Sequence, residues 1–437
     1  MPSSAHVVDV DTEHIAAVAV AHPSDRGVIA RGLGRSYGDA AQASGGLVLD
    51  MTAFDRVLSF DPATGEIEVE AGVSLDTLIR RFLPLGWFVP VTPGTRSVTV
   101  GGAIAADIHG KNHHSAGTFG SHVRSLDLLL ADGSVRTLSP TTEAAAFWAT
   151  VGGMGLTGVI LRARFALKPV PSAHISVDTR RARDLDDLMQ LQVEFDATHP
   201  YSVAWIDCLT RGASMGRGVL TAGRFAEVDE LPSVAAHDPW RIPTGPTVTA
   251  PRAVPSGLLN RWSVAAFNEL WFRKAPRSRD GEIQTTGTFF HPLDGVTGWN
   301  TMYGRHGFLQ YQFVVPDERA DVVRTAIERL ADIRAASFLA VLKRFGAANP
   351  APLSFPMPGW TLALDIPTQV DGLAATLDAL DELVAEAGGR VYLAKDSRTD
   401  ADLLKQMYPR LPEWASVRDD LDPHRTFRSD LSRRLSL

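Results

Sequence analysis

The stretch that constrains this chain most is residues 93–114, PGTRSVTVGGAIAADIHGKNHH, where a turn, a glycine-bearing helix start and a histidine cluster follow without a break. Pro93, Gly94 and Thr95 are a turn signal. Thr99 then stands where a helix cap would, ahead of Val100 and the small-residue run Gly101-Gly102-Ala103-Ile104-Ala105-Ala106. Small residues let another body approach the backbone closely. Free amides in the turn and at the helix start are unsatisfied donors at the positive end of a dipole, which suits an anion such as a pyrophosphate. Asp107, Ile108, His109, Lys111, His113 and His114 follow at once. A phosphate-binding backbone that leads into titratable side chains is what a redox cofactor requires. His109 and His113 are four apart and would share a helix face as metal ligands, but Gly110 and the lack of a carboxylate at a fitting offset argue for a hydrogen-bonded cluster and no metal.

Upstream, residues 27–30 read as a buried strand entering Arg31, Gly32, Leu33, Gly34, Arg35, Ser36, Tyr37, Gly38 and Asp39. Beside a purely structural turn, three readings compete for this loop. A dinucleotide fingerprint needs other glycine spacing, and the DAAQASGG that follows cannot supply a crossover helix before the strand expected at 47–51. A nucleophile elbow matches Gly34 to Gly38 as G-x-S-x-G, yet it too needs a helix behind Ser36. A loop whose amides wrap a phosphate, with Arg31 and Arg35 adding charge, needs only close approach and left-handed glycines.

The remaining pattern is α+β. It predicts a helix at 13–21, a strand at 65–72, a helix from Ser74 to about Phe82, a strand at 87–91 and a hairpin at 124–139 around Asp132-Gly133. Gly152, Gly153, Gly155 and Gly158 form a turn feeding a strand, a second place where backbone closes on a cofactor. Residues 201–209 and 218–225 read as strands. From 308 onward the order strand, helix, strand, strand, helix, strand is a split βαβ pattern. Alternation points Leu309, Tyr311, Phe313 and Val315 at the helices, with Gln310 and Gln312 opposite; Trp360, Leu362, Leu364 and Ile366 are core, leaving Thr361, Ala363 and Asp365 on the other face. That polar face is either a solvated sheet surface or a floor for a sugar. Residues 240–279 read as an irregular, proline-rich loop. It interleaves Trp240, Leu258, Leu259, Trp262, Trp271 and Phe272 with Arg241, Arg252, Arg261, Arg273, Lys274, Arg277 and Arg279, which suits an anionic membrane surface.

A net charge of −7 argues against nucleic acid as a partner, and the single cysteine, Cys208, excludes an internal disulfide or a cysteine-based metal site. The N-terminus does not read as a secretion signal, and no run reaches the roughly 18 uncharged apolar residues of a membrane helix. The expectation is synthesis in the cytoplasm, with a peripheral place at the inner membrane.

RGLGRSYGD, PGT with TVGGAIAADIHG, FWATVGGMGLTG, AKDSR at 394–398 and DPHRTFRSDLSRRL together resemble the vanillyl-alcohol oxidase flavoenzymes, which carry a p-cresol methylhydroxylase-type FAD domain. Within that class the chain is similar to the flavoprotein subunits of the actinobacterial decaprenylphosphoryl-ribose 2-epimerases. The resemblance implies an FAD domain over 1–172, a substrate domain with an antiparallel sheet over 173–389, and a C-terminal return to the FAD domain over 390–437. It places Arg31 to Asp39, Gly94, Thr99 to Gly102, Ala106 to His109, Ile160 and Tyr392 along FAD, with Thr95 of the turn beside them. Many relatives tether the flavin to a histidine after the second glycine of the first loop; Arg35 stands there, so non-covalent FAD is implied. The implied reaction oxidises the ribose 2-hydroxyl of a lipid-linked sugar phosphate, with a separate NAD-dependent short-chain reductase as partner and quinone or oxygen as electron acceptor. The resemblance also makes the cell-envelope side of the membrane an expected location. Lys395 is the first residue expected to touch substrate and flavin, as base or electrostatic anchor. His109, Tyr37, Lys111, Gln312 and Lys343 shape the site, with Gln310, Thr361, Ala363 and Asp365 on the sugar floor, and the base stays open among them. Mycobacterial members carry a cysteine where Ala363 stands, so agents that need a thiol there have no point of attachment. An oxidase of another sugar or polyol, and a serine hydrolase using Ser36, are the alternatives.

Overall fold

Three parallel strands, His6–Asp9, Leu47–Asp50 and Val28–Arg31, lie side by side in that order. The computed structural model describes residues 4–243, 248–249, 261–335, 337 and 339–437. Between Arg31 and Leu47 there are only turns and bends. Both the dinucleotide unit and the nucleophile elbow need a helix there, so the fold excludes them. Next to this sheet stand five antiparallel strands in the order Val57–Phe60, Glu66–Glu70, Val159–Ala166, Val123–Leu129, Val135–Leu138. The helix Leu75–Phe82 covers them with Leu75, Leu78, Ile79 and Phe82, one face at helical spacing, and the Ser74 hydroxyl caps it at Thr77 N. The strand expected at 87–91 is only Trp87–Phe88, because Pro90 and Pro93 have no N–H for a ladder. The glycine turn after 150 packs on the helix at 100–105: Gly152 and Met154 donate to the carbonyls of Ile104 and Ala105, and a side chain on Gly153 would strike Ala149 O at 2.2 Å.

The rest of the chain builds one eight-stranded sheet from β1 (His174–Ala182), α1 (Leu185–Asp196), β2 (Tyr201–Ile206), β3 (Gly218–Phe225), α2 (Arg261–Lys274), β4 (Ser278–Thr285), β5 (Phe308–Val315), α3 (Asp321–Asp332), β6 (Ala340–Phe345), β7 (Gly359–Pro367), α4 (Leu373–Glu386) and β8 (Arg390–Val391). Its order is β4-β1-β3-β2-β6-β7-β5-β8, with every pairing antiparallel. The sheet is therefore two split βαβ units, each ordered fourth-first-third-second, joined back to back through β2 and β6. The sequence reading found only the second unit. The first is interrupted by the long insertion after β3, and it includes a fourteen-residue helix, α2, where an irregular loop was expected. Arg252, Leu258 and Leu259 of that expectation lie outside the described residues.

The two units differ in what they turn toward the FAD-type half. Ile175, Val177, Tyr201 and Phe225 of the first join the core of the five-stranded sheet. The second turns Gln312, Thr361 and Asp365 that way, all buried, while its other face packs on α3 and α4 through Phe313, Leu362 and Leu364. A fused apolar seam on one side and a polar face on the other leave the cleft over the second unit. The polar face is thus no ordinary solvated surface.

Candidate active site

Two bends meet at the cleft. Gly32 lies so close to Thr99 that a side chain on it would come within 2.2 Å of Thr99 Oγ1, and Arg35 Nε donates to Ser97 O at 3.2 Å. Thr99 also caps the helix Val100–Ala105 by accepting from Gly102 N, a contact worth about 1 kcal/mol. Asp294 holds the 93–97 turn from the other side, accepting from Thr95 Oγ1 at 2.7 Å and Arg96 N at 2.9 Å. The amides of residues 32–36 donate to no other described residue. They form an unpaired row of donors with the exposed Arg31 and Arg35 beside them, which fits a diphosphate.

The first loop is then fastened to the C-terminal return. Tyr37 N donates to Ala394 O at 2.9 Å, and Gly38 sits where a Cβ would be 1.7 Å from Asp396 O. β8 ends at Val391, and Lys395 N and Asp396 N turn back onto Tyr392 O. This turn carries Lys395 to the cleft with its Nζ 5.8 Å from the Tyr37 ring centre. Tyr392 donates to Ala106 O at 2.8 Å and stacks on Phe355.

The floor comes from β5 and β7. Gln312 Nε2 donates to Thr361 Oγ1 at 3.0 Å and lies 3.2 Å from His109 Nε2; Gln310 Nε2 donates to Asp365. His109 is wedged among Phe345, Phe355 and Tyr392. Burial, with Lys343 and Lys395 adding positive charge, holds its imidazole far below the usual range and keeps it neutral. Its Nε2 then accepts from Gln312, leaving Nδ1 to carry the proton. Burial drives the Asp365 carboxyl up and the Lys395 amine down, and each opposes the shift of the other. Burial brings Lys343 to about 7, helped by the charges of Lys395 and Lys111, and takes Lys111 to about 7 as well. Tyr37 is held above its ordinary value by burial first and then by Asp365, so its hydroxyl keeps its proton. His109 Nδ1, Gln310 Oε1, Gln312 Oε1 and Asp365 Oδ2 are buried without a partner among the described residues. Such atoms are costly unless something bound satisfies them. The free amides of the first loop are donors of the kind a diphosphate needs, and the unpartnered atoms of the floor, beside a pocket lined by Gln310, Gln312, Tyr392 and Lys395, are partners of the kind a hydroxyl-bearing substrate needs.

A family profile for FAD binding domains matches residues 6–139, and one for D-arabinono-1,4-lactone oxidase matches 368–435. Over 441 aligned residues the chain is 46% identical to the decaprenylphosphoryl-β-D-ribose oxidase of Mycolicibacterium smegmatis, covering 100% of this chain and 95% of that one. The chain belongs to the decaprenylphosphoryl-β-D-ribose oxidase family. It is 42% identical to an uncharacterized Streptomyces coelicolor protein over 84% of this chain and all of that one. Its identity to the L-gulono-1,4-lactone dehydrogenase of Mycobacterium tuberculosis is 27%, over 98% of this chain and 95% of the relative. As a member of the family it is an FAD-dependent oxidoreductase.

In this oxidase, several residues expected along the cofactor spend their side chains on the protein itself. Asp39 takes a two-pronged bond from Arg434 at 2.8 and 3.0 Å. Asp107, fully buried with φ 41°, accepts from Gly120 N, Asn349 Nδ2 and Ser354 Oγ. Thr95 is bound by Asp294, as above. At these three positions only the backbone remains for a cofactor. Lys111 Nζ is held by Phe289 O and lies 4.4 Å from that ring's centre. Ala363 lies on the floor between Gln312 and Val341, and Ile160 is buried in the five-stranded sheet. The sequence reading missed Asp294, Phe345, Phe355 and Asp396, which hold the others in place. Asp294, Phe345 and Phe355 belong to no motif and carry no signal in the sequence; Asp396 stands inside AKDSR, where only Lys395 was singled out.

Proposed function

We propose that this oxidase acts on decaprenylphosphoryl-β-D-ribose, converting the ribose 2-hydroxyl to the ketone, the first half of epimerisation to the arabinose form used for cell-wall arabinan. FAD supplies the acceptor for the hydride leaving C2. Lys395 accepts the hydroxyl proton, because a buried amine below the usual lysine range is neutral often enough near neutral pH to act as a base. Asp365 steadies the ammonium that results. Gln310, Gln312 and Thr361 bind the sugar hydroxyls, and neutral His109 offers an N–H from Nδ1. Tyr37 donates but does not take the proton. Lys111 and Lys343 suit the phosphodiester that links sugar to lipid.

The observation that supports this reading most is the buried polar floor, whose three unpartnered atoms, with His109 Nδ1 beside them, lie next to Lys395. We divide the chain at 172 and 389, assign FAD a non-covalent attachment because Arg35 stands where a tethering histidine would, and assign the product to an NAD-dependent short-chain reductase. Quinone or oxygen reoxidises the flavin at the inner membrane, on either side of it.

Anaerobic mixing with a short-prenyl phosphoryl-ribose tests the reaction. The wild-type flavin absorbance bleaches, and Lys395→Met keeps its flavin but does not bleach. Bleaching by L-gulono-1,4-lactone alone would replace the ribosyl substrate with another polyol. Flavin that stays in the pellet after acid precipitation would overturn the role given to Arg35.

A further inference from the structure

The short helix Asp430–Arg434 returns the chain to both halves of the site. Ser429 and Ser432 each accept from the other's backbone N–H at its start, and Leu431 and Leu435 are buried in the same core as Phe313 and Leu362. Asp430 N and Leu431 N donate to Gln42 O and Asp39 O at 2.7 and 3.2 Å, and the Asp430 carboxylate accepts from Ser44 N and Oγ. The root of Arg434 is thereby fixed against the end of the first loop. From there its guanidinium reaches two segments at once. Nε and Nη2 take both oxygens of Asp39 at 3.0 and 2.8 Å, while Nη1 donates to Thr399 O and lies 2.9 Å from Asp396 Oδ2. This last contact is an ion pair without the alignment of a hydrogen bond, since Asp396 Oδ2 has no hydrogen-bond partner among the described residues. A planar fork of donors serves two carboxylates and a carbonyl together, which an ammonium does not.

The two segments have different tasks. Asp39 ends the loop whose amides suit a diphosphate, and Asp396 follows Lys395 directly. The other oxygen of Asp396, Oδ1, accepts from Arg398 N and Thr399 N at 2.9 and 3.0 Å and so shapes the turn that presents the lysine. Arg398 ties the same turn to Asp381 at 2.9 Å, and Asp381 accepts from the Tyr311 hydroxyl of β5 at 2.8 Å. The turn is thus held to the sugar floor on one side and to the first loop on the other, and Arg434 makes the second link. Asp39 and Asp396 both lie within hydrogen-bonding distance of one guanidinium, so without it they are neighbours of like charge. The Asp396 side chain is only 5% exposed, and a carboxylate left there without its cation has little water to stabilise it.

We propose that Arg434 is a positioning residue for the oxidation: by holding Asp39 and Asp396 in one ion triad it locks the cofactor loop to the turn of Lys395 and fixes where the lysine stands relative to the flavin. This rests on the role given to Lys395 above. Two measurements on the full chain test it. The first is titration of the cofactor-free protein with FAD, in which Arg434→Met binds about tenfold more weakly than wild type, because the loop has lost its anchor. The second is stopped-flow anaerobic reduction by the short-prenyl phosphoryl-ribose at saturating FAD. Arg434→Met reduces its flavin about a hundredfold more slowly. Its half-saturating substrate concentration changes by less than about threefold, because the floor is set by the pairing of β5 with β7. The double variant Arg434→Met/Asp396→Asn keeps an acceptor for Arg398 N and Thr399 N but leaves no stranded charge, and it regains about tenfold of the lost rate. If Arg434→Met does not fold, Arg434→Lys takes its place: one ammonium does not span both carboxylates, and reduction slows by about tenfold.

A wild-type rate in the single variant overturns the proposal. So does a double variant no faster than Arg434→Met, which would reduce Arg434 to packing, and so does a loss carried wholly by the half-saturating concentration. A wild type that the ribosyl substrate does not reduce is a failure of the oxidation assignment; the FAD titration then decides the triad, and an unchanged affinity overturns it.

Discussion

Replacing Gly38 by alanine tests whether the first loop and the C-terminal return must touch. The new Cβ would lie 1.7 Å from Asp396 O and 2.7 Å from Asp396 C, atoms of backbone that cannot rotate away. Reaching even 3.0 Å requires the two segments to part by about 1.3 Å, since shorter Cβ contacts are not tolerated. That separation strains the bond from Tyr37 N to Ala394 O and displaces Lys395, the residue between the two contacts. Overpacking of this kind costs about 1–3 kcal/mol of stability. A shift of about 1 Å in a reacting group costs about a hundredfold in rate. The expected outcome is a folded protein with a lowered melting temperature that still binds FAD, and whose anaerobic reduction by substrate slows by about two orders of magnitude. Calorimetry and stopped-flow absorbance measure the two effects separately. Wild-type reduction by Gly38→Ala would show that Lys395 does not depend on this contact, and the site described here would be wrong at its centre.

The other predictions concern the cofactor and the proton. A side chain on Gly94 would meet nothing within 4 Å of the chain, so Gly94→Ala should leave the melting temperature of the cofactor-free protein unchanged. If FAD passes over this turn, the variant weakens FAD binding by about tenfold or more, by titration of the cofactor-free protein; unchanged affinity removes Gly94 from the cofactor site. The Asp365 carboxylate holds the Lys395 amine up against the effect of burial. Asp365→Asn therefore lowers that amine further, and the limb of flavin reduction that rises with pH as Lys395 loses its proton moves to lower pH by about one unit. A limb that does not move, or that moves upward, refutes the pairing.

What the sequence determined by itself was local. Thr99 and Ser74 are legible as caps because a hydroxyl before an apolar run satisfies the first amides of a helix, and both are caps in the structure. That no helix follows the loop at 31–39 is legible in DAAQASGG, and the alternation in β5 and β7 gave Gln310, Gln312, Thr361 and Asp365 one face. Whether that face met water or protein depended on the other unit. Only the tertiary structure decided that Ile175, Val177, Tyr201 and Phe225 close one side while the polar side stays over the cleft. The first split βαβ unit was hidden by the insertion after β3, which breaks the periodicity a linear reading relies on. The direction of α2 was hidden as well, because its apolar residues face outward and Asn268 faces in, the reverse of the rule by which a helix face is assigned. The meeting of Gly38 with Asp396, of Asp39 with Arg434 and of Asp107 with Ser354 joins residues hundreds of positions apart. Spacing along a chain carries no information about such contacts, so Lys395 reaches the cleft only once the fold has brought the two ends of the chain together.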